Sequence, residues 1–355
     1  MVVWVHISQG ESLLIVTGRS RDTMGGVCCA PKAGAGCKAA CLCGACHVET
    51  IGKPKWVCNC HCSQCRRAFS GSCATLAGFD PENLMVTKGE SNLISYTTGR
   101  EERFSCRICS SKVYGMLHHL AHKVVYNDMF ISPNHGPDGS ISSEFAPAMH
   151  IFYTSGNTNF IDGLPKYVKL PAAFGGDDQK VAEIFHGLGK ASEKDLQTAT
   201  ASCLCGACQC VATPGKPKWV VNCHCSQCRR ALSRSYATLC GYDPDSIKVT
   251  KGKSKLISYT TGKEERFSCS ICSSHLYAHL HHLNHKAIYN DMFVSPNHGP
   301  DGKISKEFQP TAHIFYTSGN TNICDGLPKY VKLPAAFGGD DKTVPDVYHG
   351  VGGSA

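Results

Sequence analysis

Long apolar runs are missing from this chain of 355 residues. No stretch approaches the roughly 18 apolar residues that a spanning helix needs, so a membrane partner is not expected. Charged residues are sparse, at 18% against 42% hydrophobic, a balance that excludes a disordered chain. A secretory leader is not expected either. Met1 to Gly18 is mildly apolar, but it contains His6, Glu11 and Ser12 and has neither a basic start nor a small-residue cleavage site. The expected location is therefore cytoplasmic, with residues 1–40 a weak candidate for organelle targeting.

Cysteine, by contrast, is abundant: there are 24. Without a secretory signal, that number points to metal rather than disulfides. Bound cysteine is a thiolate, which changes the charge arithmetic. Counting the 14 ligand cysteines identified below as anions and four zinc ions as dications brings the formal +8 down to about +2. The apparent basicity then gives no reason to expect a nucleic-acid partner.

The chain repeats itself. Cys41 to Cys46, CLCGAC, recurs from Cys203 to Cys208, and Asn59 to Arg67, NCHCSQCRR, recurs from Asn222 to Arg230. LISYTTG recurs at Leu93 and Leu256, HIFYTSGNTN at His150 and His313, and DGLPKYVKLPAAFGGDD at Asp162 and Asp325. The offset is 162 at the first cysteines and 163 from Trp56 onward. A period this long means duplicated domains rather than a solenoid. We read an N-terminal extension over 1–40, a first domain over 41–188, a polar linker over 189–202 and a second domain over 203–350.

Within each copy the signals are mostly β. Leu93–Thr98 and Arg103–Ser105 flank Gly99 as a hairpin. Val113–Tyr114, Lys123–Tyr126, His150–Thr154 and Tyr167–Lys169 read as further short strands. Ser63 to Phe69 is the best helix, with Ser63 as its N-cap. Asp178 is expected to cap a second short helix carrying Val181, Ile184 and Phe185.

The cysteine spacing carries the chemistry. Cys41-x-Cys43 and Cys106-x-x-Cys109 form two knuckles that suit one tetrahedral four-thiolate zinc, and Cys203, Cys205, Cys269 and Cys272 repeat them. Cys60-x-Cys62-x-x-Cys65 is different, as is its repeat Cys223, Cys225 and Cys228. Three ligands leave a fourth position for substrate, the mark of a catalytic zinc, unless a fourth cysteine closes the site. Cys46 and Cys208 compete for that place. Cys58 is excluded as a shared ligand because Val221 stands at its position in the second copy. A helix N-terminus, together with Arg66 and Arg67, would lower the Cys65 thiol, and the arginine pairs Arg66, Arg67, Arg229 and Arg230 could grip an anionic substrate.

This order of motifs, CxCG, CHCxxCRR, FxCxxC, HIFxxS and DGLPxY, resembles the glutathione-dependent formaldehyde-activating enzymes over most of each copy. The resemblance implies an all-β architecture of two tandem Mss4-like zinc domains. It assigns the four-cysteine groups to structural zinc and the triplets to catalytic zinc, about four ions per chain and two per domain. The pattern departs at Ser110 and Ser273, where the family has glycine, and at Arg234, where the first copy has Gly71. An arginine there is expected to narrow the pocket or bind an acidic group, leaving most turnover to the first copy. His118, His119, His122, His135 and His150 all recur, and His150 reads as a structural histidine. His61 and His224 should point away from the metal. Cys28, Cys29 and Cys37 receive no role.

The resemblance implies a zinc-dependent carbon–sulfur lyase or synthase that joins glutathione, the co-substrate, to formaldehyde, a small thiol with a small aldehyde. The alternative is a non-catalytic zinc scaffold, since relatives of this fold bind small GTPases or chromosomes. A scaffold needs only the four-cysteine groups, so the triplets favour the enzyme. The two domains are expected to pack on each other.

Overall fold

The turn signal at Gly99 is a hairpin. In the computed structural model, Leu93–Thr97 pairs antiparallel with Glu101–Cys106, Leu93 opposite Cys106, and Gly99 adopts a φ of 91° between them. The structure describes residues 2–6, 12–17, 37–132, 141–295, 303–349 and 351–352. Cys28, Cys29 and His135 lie outside the described residues. Along Glu101–Cys106 the side chains alternate as strand geometry requires. Glu101, Arg103 and Ser105 are buried, while Phe104 stacks on Tyr114 across the next strand with centroids 4.4 Å apart.

This hairpin is one edge of a seven-stranded sheet. In order, its strands are His150–Ile151, Trp56–Cys60, Ala74–Phe79, His122–Tyr126, Lys112–Leu117, Glu101–Cys106 and Leu93–Thr97. A smaller sheet of four strands, Phe130–Ser132, Cys37–Ala40, His47–Thr50 and Leu84–Lys88, packs beside it. The second copy repeats both sheets. Its larger sheet gains Ser12–Thr17 and Val2–His6, and Val16 pairs in parallel with Tyr259. Strand accounts for 37% of the structure and helix for 18%, so the fold is mainly β in two similar halves. No described helix is long and apolar enough to cross a membrane. Cys37–Ala40 occupies in the first copy the place that Ala199–Ser202 takes in the second. Just before the latter, Glu193–Gln197 forms a helix closed by a Ser192–Asp195 capping box.

Three expected elements fail. Residues 178–187 are not helical. Asp178 takes a left-handed φ of 56°, and its carboxylate accepts from the Ala172 N–H at 2.7 Å. The chain then runs extended, Lys180 bridging Tyr167, and Ile184 and Phe185 are exposed rather than packed. The strand expected at His150–Thr154 stops at Ile151, because Phe152 turns left-handed at φ 52°. Tyr167–Lys169 likewise makes only an isolated bridge.

Each copy has its own hydrophobic core, and the two meet across a reciprocal seam. Arg66 pairs with Asp291 at 3.5 Å and Arg229 with Asp128 at 3.4 Å, all four side chains buried. Asn157 donates to Asp291 and Asn320 to Asp128. Ser70 Oγ donates to the His275 carbonyl, and Ser233 Oγ to that of Lys112. Segments also cross over: Ile141–Ser142 pairs with Val351–Gly352, and Gly189 bridges Ser305. This is the self-complementary pattern of a two-fold interface, made within one chain.

Candidate metal centres

Two tight turns bring four sulfurs together. Gly44 at φ 72° closes the first knuckle, its N–H reaching the Cys41 carbonyl at 3.0 Å. The second knuckle, Cys106 to Cys109, is closed by Ser110 at φ 58°, with Ser273 at φ 53° in the other copy. Serine keeps the left-handed turn that glycine would make, at a cost of about 1–2 kcal/mol. The Cys41 and Cys43 sulfurs lie 3.5 Å apart, and Cys43 and Cys106 3.7 Å. With Cys109, all four fall within 4.8 Å of one another. Cys203, Cys205, Cys269 and Cys272 repeat the cluster. Both clusters could hold a metal ion. Cys46 and Cys208 belong here, not to the triplets: each backbone N–H donates to the first ligand sulfur at 3.2 Å, and each thiol turns to a glycine carbonyl.

The triplet is built where a central strand becomes a helix. Cys60 ends the strand Trp56–Cys60, and Cys65 lies in the helix Ser63–Ala68. Cys62, not Ser63, is the N-cap, its sulfur accepting from the Cys65 N–H at 3.3 Å. A residue expected to act only on metal thus also satisfies an orphan donor of the helix start. The three sulfurs lie within 4.8 Å of one another, as do those of Cys223, Cys225 and Cys228. Hydrogen bonds from the Cys60 and Cys65 thiols hold the Cys62 thiol well below its ordinary pKa. The Cys65 N–H and the Arg103 charge act in the same direction.

Arg103 is a site residue that the spacing of motifs did not reveal. Its guanidinium lies 3.7 Å from Cys65 Sγ and pairs with Glu101, which also accepts from the Tyr126 hydroxyl at 3.4 Å. Burial pushes the Glu101 carboxyl up, against the pull of Arg103. Arg266 and Glu264 repeat the pair beside Cys228, with 3.8 Å from Arg266 to the sulfur. The signal was available in the sequence: a strand reading Glu-x-Arg-x-Ser on alternate positions must turn charge inward if its other face is to carry Phe104.

The first triplet opens onto a cavity of about 310 Å³. Trp56, Leu76, Leu117, Phe152, Leu170 and Phe174 give it apolar walls, Cys58 and Glu101 line it, and Arg100 and His119 stand at its exposed side. Arg66, Arg67, Arg229 and Arg230 do not line this cavity. Arg66 and Arg229 are the seam arginines described above. Arg67 donates to the Cys203 carbonyl at 2.7 Å, and Arg230 to the Cys41 carbonyl at 2.8 Å.

Arg234 also requires a correction. It neither narrows the triplet pocket nor faces solvent. Only 2% exposed, it crosses the seam to Ser72 at 3.0 Å and lies over the Tyr236 ring.

His61 points away from the sulfurs into a buried chain, 2.7 Å to His150, which reaches Asp162 at 2.8 Å. His224, His313 and Asp325 repeat it. Burial, with His150 alongside, drives His61 well below the usual imidazole range, so it is neutral. Cys37 is buried in the first strand of its sheet. His118 and His119 are exposed, and His122 accepts from Trp56 Nε1 at 3.3 Å.

No curated protein matches the sequence. Among solved structures, a crystal structure of a Rhodobacter sphaeroides protein is 25% identical, covering 27% of this chain and 90% of its own, with a TM-score of 0.24. The profile described as glutathione-dependent formaldehyde-activating enzyme matches residues 36–155 and again 198–318. Those two matches cover more than half of the chain and take in every cysteine cluster described above, so the protein belongs to the glutathione-dependent formaldehyde-activating enzyme family and carries its domain twice.

Proposed function

We propose that the chain is a zinc-dependent carbon–sulfur lyase or synthase that forms S-(hydroxymethyl)glutathione from glutathione and formaldehyde. The observation that carries this reading is the contrast between its two kinds of sulfur cluster. The four-sulfur groups are closed, whereas the Cys60, Cys62 and Cys65 group faces a cavity large enough for a small molecule. The donor sets fit zinc. They are all sulfur, and the polar groups around them donate to it: the Cys46 and Cys65 N–H groups and the Arg103 guanidinium. Cys41, Cys43, Cys106 and Cys109 would hold a structural ion and the triplet a reactive one, with the same arrangement in the second copy.

Zinc in the triplet would supply an electrophile that stabilises a thiolate or polarises a carbonyl oxygen. The protein does the rest. Trp56, Phe152 and Phe174 exclude water and hold thiol and aldehyde together. Arg103, braced by Glu101, offsets the negative charge of the sulfurs. Arg100 at the exposed side is placed for a carboxylate of the tripeptide. The bond that forms joins sulfur to the aldehyde carbon, and the thiol proton ends on the former carbonyl oxygen.

The test is hydroxymethyl-adduct formation from glutathione and formaldehyde above the spontaneous rate. It should fall to that rate in Cys62→Ser/Cys225→Ser, while the melting temperature holds and both four-sulfur groups keep their zinc. A wild-type rate no faster than buffer would leave the scaffold reading instead.

A further inference from the structure

We propose that Glu265, His279 and His281 form a further metal site, for a borderline divalent transition ion such as Zn²⁺, on the outer face of the second copy. It is separate from the cysteine groups and independent of the reaction proposed above. Each residue offers a donor atom, and the three atoms lie within 4.8 Å of one another.

Strand geometry builds the cluster. Glu264 and Arg266 turn inward toward Cys228, so Glu265 between them must face outward. His279 is its direct cross-strand partner on His275–Leu280. His281 follows two residues later on the same face, with buried Leu280 between them. The two imidazole rings are 4.3 Å apart, and His281 Nε2 is 3.9 Å from Glu265 Oε2. Small side-chain rotations would bring all three donors onto one ion.

Two imidazoles and a carboxylate suit the zinc class and leave positions open for water or a further ligand. The first copy supplies an internal control. Its equivalent strands place Glu102 opposite Met116 and keep His118 3.8 Å from Glu102. The Glu–His pair is therefore common to both copies, and the second imidazole belongs to one of them. Zinc takes thiolate, imidazole and carboxylate ligands, so the first copy has two suitable donors and the second has three.

The experiment is equilibrium dialysis of the full, zinc-replete chain against Zn²⁺ at fixed micromolar free concentration, with bound ion counted by elemental analysis. Wild type should take up one ion beyond those held by the cysteine groups. His279→Met and Glu265→Gln should each weaken that uptake about tenfold or more, with unchanged circular dichroism. Met116→His should complete the first-copy triad and add one further ion. Equal uptake curves for wild type and His279→Met, no extra ion in wild type, or no gain from Met116→His would each overturn the proposal.

Discussion

The first copy reads Gly71-Ser72-Cys73 where the second reads Arg234-Ser235-Tyr236. Around the triplets, by contrast, the copies agree: Glu101 and Glu264, Arg103 and Arg266, Tyr126 and Tyr289. The seam explains the difference. A Cβ on Gly71 would sit 0.6 Å from Arg234 Nη1, so glycine at 71 is the socket into which Arg234 fits. Tyr236 completes the fit, its ring under the guanidinium and its hydroxyl 2.9 Å from Ser72 Oγ. A duplicated domain that packs on itself about a two-fold axis must meet its own side chains there. Long residues at both equivalent positions would collide, and small ones would leave a void. Divergence at this point reflects packing between the copies.

The comparison can be broken most strongly at the seam's charges. Asp128→Ala and Asp291→Ala each remove the carboxylate facing a buried arginine, and each should cost about 3–5 kcal/mol in chemical denaturation. Near-equal losses are expected because the two pairs are equivalents, whereas a large inequality would mean that only one half of the seam is closed. Next comes the socket. Gly71→Ala should cost about 1–3 kcal/mol as the Arg234 guanidinium is forced aside. The penalty should largely vanish in an Arg234→Gly background, and a loss that persists there would place the strain elsewhere.

Lys112 sharpens the comparison further, since the second copy has His275 in its place. Burial pushes the Lys112 ammonium down to about 7, although its Nζ reaches the Ser273 carbonyl at 2.9 Å. Between pH 7 and the ordinary lysine value, the unfolded chain binds this proton and the folded chain does not. Stability should therefore rise with pH across that window, and the penalty should be full below it. Lys112→Met should flatten the slope of melting temperature against pH. An unchanged slope would show that the ammonium is solvated.

The smallest expected contrast is in activity. Cys62→Ser and Cys225→Ser should each remove roughly half of the glutathione-dependent turnover, as independent and similar sites would. A much greater loss from one of them in separate rate assays would mean that wall differences such as Cys58 against Val221, or Arg100 against Lys263, govern the pockets after all.

Most of the cysteine grouping was legible because it is local. Knuckle spacing, the CHCxxC run and the repeat offset sit within short windows and survive any arrangement of the rest. The hairpin at Gly99 was legible for the same reason. Arg66 and Arg67 were misplaced because adjacency to Cys65 suggests a shared pocket. A helix sends successive residues to different faces, and the carboxylate that claims Arg66 lies 225 residues away. Nothing local encodes such a partner. The helix expected after Asp178 failed because its apolar spacing was not backed by packing: Ile184 is 72% exposed. Glu101 and Arg103 were readable in principle, but only once the hairpin fixed which face of their strand turned inward.

Arg67 and Arg230 leave one consequence still to draw. Each projects from the helix that carries one copy's triplet and ends on the carbonyl of the first cysteine in the other copy's four-sulfur group. If the group at Cys203 came apart, the helix bearing Cys65 would lose an anchor, and the group at Cys41 stands in the same relation to Cys228. Metal held at these groups would thereby be linked across the halves, each four-sulfur group to the other copy's triplet. Replacing Cys203 should therefore lower the metal affinity of the triplet at Cys65, and replacing Cys41 that of the triplet at Cys228.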